Sequence, residues 1–556
     1  MPNALRWIRR NIQAILAFSL LAWQAWIPWS VPHFVTQDGP SHLYTAVVAR
    51  DLLLHPQSPY AGFYHLTNRI TPSWGSTIVL DLIISIVGVD HAQQLFVTLA
   101  MVAGFFAFSC AIGALSRDGS RWTPLTNFLL QTWFLWMGFF SFYLAMVLCP
   151  LVIGYYLRHA SALNWKKTAV LAAAMVALFF THMISAVLAG MTIGLVALWL
   201  NIAAPRFLSG QPMRLGMLAS RMKMVVFALL PVTVLCGFYA GSMRYVGFSS
   251  IRLDGWEMFP MPVFTTSTGH LGEQFLLFPA VLCLIVLGIL TMRRSEWRTA
   301  RGGVAVSVGA AFLLYLILPD AGLGGLFVKI RFVWGFFILG ALLLTSVRRL
   351  RPFRISFDIY VFALLVCSLL WTQRTLWRYS SVVESYLDAT KQIPAGARLL
   401  RIRYDAPVFG PAGHRATVGD PLFHLDAYVA ARCRCIDLSD YQAASTTFPV
   451  LFNKSMPQDQ QLTLWSMERP GPDGDKHLKW LRSTLPVDYV IFFGSQPGAK
   501  PVFNAVLAQL NSEMHLVATA GAEPFVRIFQ RTSDSNVVSE YRSASSEPPN
   551  LGRTSR

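Results

Sequence analysis

Eleven runs of mainly apolar residues fill the first two thirds of the chain. A helix that crosses a bilayer needs about 20 such residues, so the accessible folds narrow at once to a multi-span membrane protein. The runs are Ile12–Val31, Ala92–Leu115, Pro124–Met137, Gly138–Leu157, Thr168–Thr181, Met183–Asn201, Met222–Ser242, Glu273–Met292, Val304–Leu318, Phe332–Val347 and Phe357–Thr372. A twelfth, Trp74–Gly88, is shorter and carries Asp81. Charged residues are 13% of the chain, against about 25% in a soluble domain. Hydrophobic residues reach 54% and the mean hydropathy is +0.47. So few charges cannot cover a water-facing surface, which excludes soluble, disordered and disulfide-framework classes.

Basic residues set the expected threading. Under the positive-inside rule, Arg6, Arg9 and Arg10 place the N-terminus in the cytoplasm. Counting onward, the loops on that side hold twenty Lys and Arg, and the opposite loops hold six: Arg50, Arg69, Arg244, Arg252, Lys329 and Arg331. This alternation requires Trp74–Gly88 to lie along the membrane or re-enter it rather than cross. The net charge of +18 then reports topology, and no nucleic-acid partner is expected. No small-residue cleavage site follows the first run, so it is expected to be a retained anchor.

An odd number of spans puts everything after Thr372 outside the cytoplasm. Residues 1–372 are expected to form the membrane domain, with residues 32–91 as a first outer loop bearing juxtamembrane helices. Between 373 and 531 the composition changes to Pro/Gly turns, as in Pro470-Gly-Pro-Asp-Gly, and to strand-like runs at Arg398–Tyr404, Val487–Phe493 and Phe525–Phe529. A small extracytoplasmic α/β domain fits this pattern, followed by a Ser-rich disordered tail over 532–556. Cys433 and Cys435 are the two cysteines of seven in a polar region, where they could close a disulfide.

The first outer loop is about 60 residues, far longer than a connector needs. It opens V-T-Q-D-G-P-S-H-L-Y. Asp38 stands just past the first span, and Gly39-Pro40 turns into a helix through Leu54. A carboxylate so placed can take a proton from an acceptor hydroxyl or amine, or can simply cap that helix. His42 and Tyr44, within the same motif, are candidate substrate contacts, as is His182 between two spans. Tyr60, Tyr64 and Trp74 could stack on the ring of a bound substrate, and Asp90 could supply a second acidic position. Lys329 and Arg331 are cations on the side poor in them, suited to an anionic group; Arg244 and Arg252 are weaker candidates.

An N-terminal span, a long outer loop with an early Asp, M-G-F-F-S-F-Y-L at Met137–Leu144, L-P-D-A-G-L-G-G-L-F-V-K-I-R at Leu318–Arg331 and a terminal outer domain together resemble the C-type glycosyltransferase superfamily. The resemblance implies a mostly α, polytopic enzyme of about eleven spans. It would use polyprenyl-phosphate-linked sugars, with Asp38 as the base and a basic residue such as Arg331 at the lipid phosphate. Metal-dependent members often carry paired acids where this chain has Asp38 alone, so catalysis without a divalent ion is the better fit and no cofactor is expected. Neither a P-loop nor a dinucleotide-type glycine motif occurs, in line with a donor held in the bilayer.

The expected protein is therefore an inverting glycosyltransferase of the cytoplasmic membrane, whose partners are the bilayer, a polyprenyl-phosphate sugar donor and a lipid, glycan or protein acceptor. The competing expectations are a transporter or flippase, and a non-catalytic assembly protein of the cell envelope.

Overall fold

The computed structural model describes residues 2–116, 122–208, 215–243, 271–319, 322, 327–347, 350–403, 421–445, 447–453, 487–493, 501–520 and 525–531. Outside them lie Arg244, Arg252, the Pro470 turn, Tyr404 and the tail over 532–556. The fold is mostly helical, with a small sheet domain after the last long helix. Among the described residues, eight helices are long and apolar enough to cross a membrane.

These eight are α1 (Pro2–Trp26), α3 (Trp74–Leu115), α6 (Phe140–His159), α8 (Met183–Leu198), α9 (Leu215–Ser242), α11 (Ala300–Ile317), α12 (Val328–Ser346) and α13 (Arg351–Ala389). Two further runs form α7 (Trp165–Thr181) and α10 (Leu271–Thr291). The remaining run, Pro124–Met137, is interrupted: α4 (Pro124–Leu130) and α5 (Trp133–Trp136) are separated at Gln131-Thr132. At one end, Thr123 Oγ1 and Gln13 Nε2 both donate to Asp358 at 2.6 Å; at the other, Met137 O accepts from Asp38 N at 3.0 Å. The broken segment therefore runs the length of the bundle. Backbone groups exposed by a break inside a membrane must be recaptured by protein. Tyr143 Oη donates to Leu130 O, the carbonyl at the break, at 3.0 Å; Gln24 Nε2 to Asn127 O and Asn127 Nδ2 to Ala17 O, also at 3.0 Å, tie α4 to α1.

Gly88 divides α3, with φ 74° and ψ 176°. The part before it packs on α2 (Gly39–Leu54), where Arg50 meets Asp81 at 3.5 Å. The part after it packs on α6, and a Cβ on Gly154 would stand 2.8 Å from Ala111 Cα. Such close backbone approach is how small residues drive helix packing without a hydrophobic drive.

α13 runs unbroken 17 residues beyond Thr372 before the sheet begins. The sheet has order β3 (Ile436–Asp437), β2 (Arg398–Arg403), β5 (Tyr489–Phe493), β7 (Val526–Arg531), β6 (Met514–Ala520). β2 is parallel to β3 and β5, while β7 is antiparallel to β5 and β6. Its helices are α14 (Leu425–Cys433), α15 (Tyr441–Ala444) and α16 (Pro501–Glu513), and Cys433 and Cys435 are joined by a disulfide.

This domain is stitched to the segment between α1 and α3. β1 (Tyr64–Leu66) pairs antiparallel with β4 (Val450–Phe452). Tyr44 Oη donates to Cys435 O at 3.0 Å and accepts from Asp437 N at 2.9 Å. Tyr64 Oη donates to Asp437 O at 2.5 Å, Thr45 Oγ1 to Gln442 Oε1 at 2.8 Å, and Arg432 holds Asp90 at 2.7 Å.

Candidate active site

Asp38 sits where the bundle, α2 and the C-terminal domain meet. The segment before it is anchored by Gln37 N donating to Trp136 O at 3.2 Å and by Asp38 N donating to Met137 O. That contact depends on Gly138, whose φ is +72° and on which a Cβ would collide with Gly39 N and stand 2.8 Å from Asp38 N. Asp38 occupies the N-cap position of α2, yet its side chain makes no capping hydrogen bond. The carboxylate is instead turned toward the C-terminal domain. Tyr441 Oη donates to Oδ2 at 2.9 Å, and His424 Nε2 lies 3.7 Å from Oδ1. Only 8% of Asp38 is exposed.

The two domain side chains are ordered among themselves. The rings of His424 and Tyr441 stack with centroids 4.6 Å apart. Arg401 Nη1 donates to His424 Nδ1 and pairs with Asp426 Oδ1, each at 3.1 Å, and also reaches Phe423 O. Burial, then Arg401, Arg403 and His42, hold His424 well below the usual imidazole range. Burial and the adjacent Asp38 hold the Tyr441 phenol well above its usual range. Both therefore face Asp38 as neutral groups.

The other expected residues fall into three settings. His42 lies in the Asp38 neighbourhood, its ring 5.7 Å from Phe140 and 5.6 Å from Phe448, and burial pushes its pKa down to about 3. Arg331, His182 and Phe142 form a second group. The Arg331 guanidinium lies 5.7 Å from the Phe139 ring centre and 5.4 Å from that of Phe142, and His182 packs 5.0 Å from Phe142. Phe139 follows Gly138, so this group adjoins the Asp38 anchor directly along the chain. Lys329 is buried on the first turn of α12.

Tyr44, Tyr60 and Tyr64 depart from the expectation of substrate contact. All three are buried, their rings about one another with centroids 6.2 Å apart, and the Tyr44 and Tyr64 hydroxyls bind the Cys435–Asp437 backbone. Tyr44 and Tyr64 act as struts between the two domains. Asp90 is paired with Arg432 and accepts from Tyr428, which places it in the domain interface rather than beside Asp38. Among the described residues, no group of three or more His, Cys, Asp or Glu converges as a metal would require.

Sequence reasoning missed His424, Tyr441 and Arg401. They lie hundreds of positions from Asp38, in segments with no motif, and only the fold brings them to it.

No protein-family model matches the sequence, and no curated protein matches it. Among solved structures, the chain is similar to apo ArnT from Cupriavidus metallidurans, at 13% identity over 95% of this chain and 98% of that one, with a TM-score of 0.47. It is also similar to the oligosaccharyltransferase of Archaeoglobus fulgidus tethered to an acceptor peptide with the NVT sequon, at 9% identity over 87% of this chain and 69% of that one, with a TM-score of 0.46.

Proposed function

We propose that this protein is a membrane glycosyltransferase that moves a sugar from a polyprenyl-phosphate donor to a lipid, glycan or protein acceptor at the outer face of the cytoplasmic membrane. The observation that carries the proposal is the state of Asp38: a buried carboxylate, not used for capping, turned toward the second domain. A guanidinium set on aromatic rings adjoins it through Gly138-Phe139. The sequence resemblance to C-type glycosyltransferases supports the same assignment.

In the proposed reaction, the acceptor O–H or N–H bond breaks and its proton passes to the Asp38 carboxylate. The freed electron pair attacks the anomeric carbon. The bond from that carbon to the phosphate oxygen breaks, and its electrons leave with the polyprenyl phosphate. Attack opposite the leaving group inverts the anomeric centre. Arg331 offers the developing phosphate charge two parallel donors, with His182 and Lys329 in the same outer layer, and His42 lies beside the base as a neutral ring.

The test is transfer of labelled sugar from a panel of polyprenyl-phosphate donors in proteoliposomes. Wild type should transfer label, and Asp38→Asn, similar in shape but unable to take the proton, should lose transfer while remaining inserted and folded. A fully active Asp38→Asn would overturn Asp38 as base. No transfer by folded wild type from any donor would move the assignment to a transporter or an assembly protein.

A further inference from the structure

Asp38 is supplied by the membrane domain, but the side chains that face its carboxylate come from the other end of the chain. Tyr441 reaches Oδ2 at 2.9 Å and His424 Nε2 stands 3.7 Å from Oδ1. The state of that imidazole follows from its other nitrogen. Arginine has donors only, so in the 3.1 Å contact with Arg401 Nη1, which shares its two hydrogens among His424 Nδ1, Phe423 O and Asp426 Oδ1, the His424 nitrogen of a neutral ring is the acceptor. The ring proton must then sit on Nε2, the nitrogen that faces Asp38.

We infer that His424 and Tyr441 are positioning residues that complete the Asp38 site from the C-terminal domain, with Arg401 locking His424 as its neutral Nε2–H tautomer. The inference rests on Asp38 being the reacting base. A cationic imidazole at this distance would stabilise the ionised carboxylate and make it a poorer base. A neutral N–H dipole orients the same carboxylate and leaves it basic. The charged and titratable groups around His424 are Asp38 and His42 from the first loop, Arg401 and Arg403 from β2, Asp426 from its own helix and Tyr441 from α15. The two arginines and burial all oppose a second proton on the ring. Arg401 is itself fixed by Asp426, in a pair with side chains 6% and 2% exposed, so the lock is built into the domain core.

Two measurements on the full chain test this. The first reads the ring directly in 15N-histidine-labelled protein in lipid nanodiscs, with the His424 signals identified by their loss in His424→Gln. From roughly pH 5 to pH 8, Nδ1 should keep the shift of an unprotonated ring nitrogen and Nε2 that of a protonated one. Imidazolium-type shifts, or the opposite tautomer, would overturn the inference. The second compares two variants in the transfer assay. His424→Phe keeps a ring against Tyr441 and loses the N–H, and should lower kcat on the order of 10²-fold, with donor KM changed less than about 2-fold. His424→Gln returns an N–H donor near the Nε2 position and should recover most of that loss with an unchanged pH profile. A fully active His424→Phe, or a His424→Gln no better than it, would overturn the positioning role. Failure of wild type to transfer any donor sinks the glycosyltransferase assignment instead, and the ring measurement still decides the lock.

Discussion

Arg331 is the residue on which donor binding should turn. Its guanidinium lies over Phe139 and Phe142, half-buried and adjoining the Asp38 anchor along the chain. A planar fork on an aromatic surface can present two parallel N–H groups to a phosphate, which an ammonium cannot. Charged hydrogen bonds are worth ~1.5–3 kcal/mol, on the order of 10-fold to 10²-fold in affinity. Arg331→Lys should therefore raise donor KM by about that factor while acceptor KM stays put. Steady-state kinetics with donor and acceptor varied separately would check this, and an unchanged donor KM would remove Arg331 from the phosphate site. Arg331 stands out in the sequence as a candidate because it breaks the charge rule, and Asp38 because a turn follows it at once. His424 and Tyr441 do not, since a His and a Tyr in a turn-rich segment carry no periodicity or spacing that points at a partner. Tyr44 misled for the opposite reason: it shares a motif with Asp38, but six residues onward, nearly two helical turns, it faces the Cys435–Asp437 backbone instead.

At the scale of elements, the apolar runs were read correctly as helices, while the break within Pro124–Met137 was not. Gln131-Thr132 in the middle of an apolar run was the available signal, but its meaning depends on Tyr143, from another helix, receiving the Leu130 carbonyl that the break frees. The short element α15 carries a pH dependence of its own. Asp440 caps it by accepting from Gln442 N at 2.9 Å, and burial pushes its carboxyl up to about 7 from 3.8. A carboxyl that holds its proton more tightly when folded stabilises the native state fully below the unfolded value. That contribution is lost as pH rises and is gone above about pH 7. Each unit of pH inside the window costs up to about 1.4 kcal/mol. Asp440→Asn keeps the capping oxygen and cannot ionise, so the fall in thermal midpoint between roughly pH 5 and pH 7 should be shallower than in wild type. Asp426 and Asp437, raised in the same direction by burial, would leave a residual slope. Melting curves across that range would check this, and an identical slope would place the ionisation elsewhere.

For the whole molecule, the sidedness of the Asp38 end decides what kind of donor can reach it. The twenty-to-six division of basic residues sends His55, in the first loop, and Lys166, on the first turn of α7, to opposite sides of the membrane. Both positions are open to solvent, and the His55 side chain is 65% exposed. The assignment depends on α3 crossing once despite its length, with Gly88 separating a piece that lies on α2 from the piece that spans. In a background with Cys110, Cys149, Cys236, Cys283 and Cys367 replaced, His55→Cys should react with a membrane-impermeant maleimide on intact cells. Lys166→Cys should react only after permeabilisation. The reverse pattern would put Asp38, the C-terminal domain and the interface between them in the cytoplasm, within reach of nucleotide-activated sugars. Labelling of both positions from one side would mean that the first half of α3 crosses as well, so that every later loop is inverted. Only the expected pattern leaves the buried carboxylate, its two neutral partners and the arginine on its aromatic seat facing a donor whose lipid is already in the bilayer.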